Sequence, residues 1–213
     1  MNELVFIEPN KMDSIPFTTS KVISDFSGVE HRKLKNTISK YKNDIESFGL
    51  LTSYQAESTG GRPETFYKLN ESQATFIMTL LKNTEIVVAF KRELVKSFYL
   101  MREELLKRRV YREQLKPVRR GLTDVIQEST KSKWAYKQYT DLAYKAVLGR
   151  NAAQIRKERN ASKMAKAVDY MTAEEIAAIT KMQDRIAMLV EMDMDYQQVK
   201  LLLLEKFLAG KVA

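Results

Sequence analysis

Apolar residues recur at three- and four-residue steps along much of the chain, the period of helices that bury one face. Leu34, Ile38, Tyr41, Ile45 and Phe48 form such a stripe and predict a helix from about Val29 to Phe48, ended by Gly49. Ahead of it, Thr18, Thr19 and Ser20 supply N-cap oxygens before Val22, Ile23 and Phe26, which predicts a first helix of about two turns. Gly28 can close that helix in the left-handed conformation. The pattern then changes. Leu51 to Ala56 and Thr65 to Leu69 carry β-branched and aromatic residues on either side of Ser58-Thr59-Gly60-Gly61-Arg62-Pro63-Glu64, so a hairpin is expected. The apolar run Leu4 to Ile7 reads as an opening strand.

The helical period returns at Asn70, which with Gln73 makes a capping box for a helix to Leu81 bearing Ile77 and Leu80. A longer helix begins near Asn83 or Thr84. Its stripe of Val87, Phe90, Leu94, Phe98, Met101 and Leu105 persists to about Tyr111. The first half of that stripe is expected to cover the chain's own core and the second half to contact a second copy. Pro117 and Gly121, flanking Arg119 and Arg120, mark the expected domain boundary. Helices follow over Trp134 to Leu148, closed by Gly149, and over Asn151 to Asn160. Thr172 with Glu175 caps another that carries Ile176, Ile179, Ile186 and Leu189, and Tyr196 to Leu208 forms the last. The fold class is therefore mainly α with a small β-wing. A winged helix-turn-helix domain is expected over residues 1–82, a long connecting or dimerisation helix over 83–116, and a helical interaction domain over 117–213.

Charge adds a direction. The 36 Lys and Arg against 27 Asp and Glu give +9, distributed as −1 over residues 1–85, +7 over 86–120, +6 over 121–168 and −3 over 169–213. A central excess of this kind suits a polyanionic partner. The chain has no cysteine and one histidine, His31, so thiol nucleophiles, disulfides and thiolate metal sites are excluded and a Ser/His/Asp site would have to use that one ring. The Gly-Gly turn is not followed by Gly-Lys-Ser/Thr and so is no phosphate loop. No acidic pair has a spacing that singles it out. The expectation is a protein that is not an enzyme and uses no cofactor and no metal. Uncharged runs such as 72–81 reach only half of the roughly 20 residues a membrane helix needs, and the N-terminal apolar run is too short for a signal peptide, so a soluble, cytosolic protein with no membrane partner is expected.

The polar side of the second predicted helix carries the candidate chemistry. Opposite the stripe lie Arg32, Asn36, Ser39 and Asn43, with Lys33, Lys35, Lys40 and Lys42 on the flanks. Arg and Asn can each contact a base edge in the major groove through two hydrogen bonds, and flanking lysines can neutralise phosphates. The same composition also suits a solvated helix face. Arg62, at the hairpin tip, is placed to meet a phosphate or the minor groove, or is simply a loop arginine. Arg108 and Arg109 are further phosphate-contact candidates, although their cluster is equally explained as the basic end of a helix, and His31 suits a phosphate or helix-end contact or plain surface better than a base.

Residues 4 to 105 resemble the phage regulatory protein family called Rha. The resemblance rests on Leu4 to Ile7, Thr18-Thr19-Ser20, His31-Arg32-Lys33, Gly61-Arg62-Pro63 followed by Phe66-Tyr67-Lys68-Leu69, Phe76-Ile77, Phe90-Lys91 and Phe98. Residues 120 to 208 look like the C-terminal domain of many phage antirepressors, through Leu122-Thr123-Asp124-Val125-Ile126, Tyr139-Thr140-Asp141-Leu142, Tyr144-Lys145, Leu148-Gly149 and Tyr196-Gln197-Gln198-Val199-Lys200. These resemblances imply a prophage-encoded regulator in the cytosol of a bacterial host. Two functions follow from them. One is a regulator that binds double-stranded DNA through its winged helix and controls phage gene expression. The other is an antirepressor that inactivates a phage repressor, or grips another regulatory protein, without touching DNA, since a fold does not fix its use. A homo-oligomer is expected in either case.

Overall fold

The computed structural model describes residues 3–8, 14–55, 64–129 and 134–209, with side chains described as far as residue 203. Two compact units divide between Glu103 and Glu104.

The first unit opens on a short strand, β1 (Phe17–Thr19), and continues into helix α1 (Ser20–Ser27). Thr19 is the N-cap of α1, its Oγ1 accepting the Val22 N–H at 3.2 Å, and Gly28 ends the helix at φ 70°. Then come α2 (His31–Lys40), α3 (Lys42–Glu46), the strands β2 (Thr52–Gln55) and β3 (Thr65–Asn70), and α4 (Glu71–Leu80). The three strands form an antiparallel sheet in the order β1-β3-β2, with Thr18 opposite Leu69 and Tyr54 opposite Phe66. The opening strand shrinks to one bridge between Phe6 and Phe17. Beyond that bridge the Thr18 hydroxyl donates to the Leu4 carbonyl at 2.8 Å, so a side chain takes the place of a ladder bond.

The predicted helix over 29–48 is two helices. Tyr41 leaves helical geometry at φ −105° and ψ 26°, and α2 starts at His31. Thr37 Oγ1 donates back to the Lys33 carbonyl at 3.1 Å, a bond that bends helices, and Thr37, Ile38 and Ser39 are weak helix formers. Leu34, Ile38 and Ile45 are nevertheless all fully buried, so the stripe survives the break. Phe48 falls beyond α3, stays 46% exposed and places its ring 5.7 Å from that of Phe76. The core of this unit gathers Ile23, Leu34, Ile38, Ile45, Leu69 and Ile77 with Val87, Phe90, Leu94 and Phe98.

Those last four lie on α5 (Glu85–Ser129), a helix that passes unbroken through both Pro117 and Gly121, where a boundary was expected. An interior proline costs a helix about 3 kcal/mol, because it lacks the N–H that would bond four residues back and crowds that carbonyl. Leu115 and Leu122, on either side of it, are 1% and 0% exposed, and this burial outweighs the local cost.

The second unit adds α6 (Ala135–Leu148), α7 (Ala152–Glu158), a 3-10 turn (Ala167–Tyr170), α8 (Ala173–Glu191) and α9 (Tyr196–Ala209). Its apolar residues form two clusters. One joins Leu122, Ile126, Tyr139, Leu142, Ile186, Val190 and Val199, and the other joins Leu115, Tyr144, Ile155, Val168, Met171, Ile176 and Ile179. Capping boxes start α7 at Asn151 with Gln154 and α8 at Thr172 with Glu175, as Asn70 with Gln73 starts α4. Trp134, where the helix was expected to begin, is 70% exposed, because α6 begins one residue later and the buried stripe starts at Ala135. Among the described residues no helix is long and apolar enough to cross a membrane.

Candidate nucleic-acid interface

The face of α2 opposite its buried stripe is open to solvent. Arg32, Asn36 and Ser39 are all exposed and recur at steps of four and three, which places them on one side of the helix. Asn43 is exposed too, but it belongs to α3, past the break at Tyr41, and so does not extend that row along one straight axis. Around the row, Lys33 lies 3.4 Å from Glu30 and Lys42 lies 3.8 Å from Glu46, both surface pairs that water screens and that hold their partners weakly. Lys40 sits 5.1 Å from the Tyr41 ring centre, while Lys35 is half-buried. Arg32 and Asn36 between them offer a guanidinium fork and an amide, the two side chains best matched to guanine and adenine edges.

His31 has a different place from the one expected. It is 8% exposed, with Nε2 2.9 Å from Ser20 Oγ and Nδ1 2.6 Å from Glu64 Oε1. Ser20 Oγ also accepts the Tyr67 N–H at 3.0 Å. Both ring nitrogens are thus engaged inside the unit, where they tie the start of α2 to α1 and to the residue before β3, and the ring is not presented to a phosphate. The hydrogen bond from His31 holds the Glu64 carboxyl below its ordinary value. Nothing local in the sequence announces this network, since Glu64 lies 33 residues further along.

Arg62 lies outside the described residues. Arg108, in the second unit, is half-buried and bonds Glu104 at 2.8 Å, so its charge is already answered, and Arg109 lies on the exposed side of α5. Burial pushes the Glu104 carboxyl up, but the Ala173 N–H and Arg108 outweigh it and hold it below its ordinary value. Elsewhere in this unit Arg112 pairs with Asp169 at 2.9 Å, Arg150 with Glu158, and Arg159 with Glu175 at 2.8 Å. Among the described residues no group of three His, Asp or Glu side chains is placed to hold a metal ion.

Residues 18–103 match the family model described as phage regulatory protein Rha, which supports a phage regulatory role. The match covers the helices α1 to α4, the three-stranded sheet and the first part of α5. A comparison with curated proteins finds no match.

Proposed function

We propose that this chain is a phage regulatory protein that binds double-stranded DNA through the exposed face of α2. The observation that carries this reading is the row Arg32, Asn36 and Ser39, solvent-exposed on the side of α2 opposite the buried Leu34 and Ile38. The order β1, α1, α2, α3, then β2 and β3 with β3 central in the sheet, supports a winged helix-turn-helix reading, in which the second helix, α2, enters the major groove. On this reading Arg32 and Asn36 contact base edges, Lys33 and Lys40 neutralise phosphates, and the second unit acts as an interaction domain for a protein partner. Assembly into a homo-oligomer belongs to the same reading, because paired helices read paired half-sites.

A second reading, an antirepressor that binds a phage repressor directly, is favoured by one observation. Residues 1–85 carry a net charge of −1, which gives this unit little general attraction for a polyanion. A pull-down with the full chain from cells carrying the phage, with and without nuclease, separates the two. Loss of the captured material on nuclease treatment supports DNA binding. A repressor-sized protein retained after nuclease supports the antirepressor.

A further inference from the structure

The second unit contains a cavity of about 470 Å3 whose wall is basic. Arg119 reaches it from α5, Tyr136 and Thr140 from α6, Arg156 from α7, and Lys163 and Lys166 from the segment that leads into the 3-10 turn. Some other cations of this unit are paired, Arg112 with Asp169, Arg150 with Glu158 and Arg159 with Glu175, while others such as Lys137, Lys145 and Arg185 form no ion pair among the described residues. The four in the cavity wall are unpaired as well: among the described residues no carboxylate forms an ion pair with Arg119, Arg156, Lys163 or Lys166. The Nε of Arg119 and the hydroxyl of Thr140 are both buried with no hydrogen-bond partner among the described residues. Asp141, which lines the adjoining cavity with Arg156, uses its Oδ1 to accept the Ala152 N–H at 3.2 Å.

Buried donors without acceptors carry a desolvation cost, and Arg119 and Arg156 beside the exposed Lys163 and Lys166 make the wall electropositive. A phosphate group answers both demands, because its oxygens accept from a guanidinium fork, from ammonium groups and from hydroxyls at once. The volume lies within the range of small-ligand pockets, and its walls come from four segments of chain. Tyr136 and Met164 add apolar surface beside the cations. We propose that this cavity binds a phosphate-bearing small molecule of nucleotide size, a site independent of whichever partner α2 contacts.

The test is isothermal titration of the full chain with inorganic pyrophosphate and, separately, with ADP. Saturable single-site binding of either is expected, and it should weaken about tenfold or more in Arg156→Ala and in the pair Lys163→Ala with Lys166→Ala. The two lysines are exposed, so their loss leaves the fold and its melting curve unchanged. Equal affinity for both probes would show recognition of phosphate alone, and tighter ADP binding would add contact with the base. The proposal is overturned if neither probe saturates, if the variants bind as the parent does, or if a short random duplex displaces the probes and accounts for all binding at this wall.

Discussion

Replacing His31 by alanine removes the side chain that links α1, α2 and the residue before β3. With Nδ1 protonated the chain of bonds is satisfied throughout: Nδ1–H donates to Glu64, Nε2 accepts the Ser20 hydroxyl proton, and Ser20 Oγ accepts the Tyr67 N–H. Alanine leaves that hydroxyl proton without an acceptor at a residue that is 0% exposed. Such a loss costs about 1–3 kcal/mol. The imidazole also packs 5.6 Å from the Phe66 ring, and losing an aromatic contact of this kind adds about 0.5–1.5 kcal/mol. The Glu64 side chain is 45% exposed, so its bond to the ring is largely screened and contributes little beyond this. The sum is about 1.5–4.5 kcal/mol of local stability. Hydrogen exchange read on peptides covering residues 20–40 measures it, whereas fluorescence does not, because the only tryptophan, Trp134, lies in the other unit. Adding Ser20→Ala to His31→Ala should cost less than the two single changes together, since the stranded hydroxyl is gone. Protection of this segment within about 0.5 kcal/mol of the parent would refute the network as a stabilising element.

Three further outcomes are expected. Ile38→Asp, at a position that is 0% exposed, should unfold the first unit, because an unpaired carboxylate is too costly to bury; parent-like exchange protection in this variant would contradict the core assignment. Gln183 is fully buried with neither amide atom hydrogen-bonded among the described residues, so Gln183→Met should stabilise the second unit by about 1–2 kcal/mol in denaturant titrations followed at Trp134, and a loss of stability would show that the amide has a partner. At Glu175, burial pushes the carboxyl up, but Arg159 and the Thr172 N–H outweigh it and hold it below its ordinary value. Its contribution is therefore full above the unfolded value of 4.5 and is lost as pH falls through the lower folded value, so Glu175→Gln should flatten the decline in melting temperature between about pH 5 and about pH 3.

Local devices were legible in the sequence because each is settled within a few residues. Thr19 as the N-cap of α1, Gly28 and Gly149 as helix ends, and the boxes Asn70 with Gln73 and Thr172 with Glu175 all stand where spacing puts them. Asn151 with Gln154 carries the same signal at the same spacing. What tertiary packing decides was not legible. Pro117 looks like a helix end until Leu115 and Leu122 are known to be buried on either side of it, and Trp134 looks like the start of a helix until α6 is known to begin after it. For the candidate site, the exposure of Arg32, Asn36 and Ser39 followed directly from the burial of Leu34 and Ile38. Asn43 did not follow, because the chain leaves helical geometry at Tyr41, and the engagement of His31 involves a carboxylate 33 residues further along. The basic cavity needs four separate segments brought together, which no spacing rule anticipates.

The central claim, that the exposed face of α2 reads duplex DNA, is tested most directly by fluorescence anisotropy of the full chain with a duplex selected from a random library and with an unselected one, across a salt series. The account predicts that Asn36→Ala lowers the preference for the selected duplex by about 1–3 kcal/mol while leaving unselected binding nearly unchanged. Lys40→Ala should weaken both duplexes alike and reduce the salt slope by about one. A parent chain that binds neither duplex, or an Asn36→Ala variant that keeps the full preference, would contradict it.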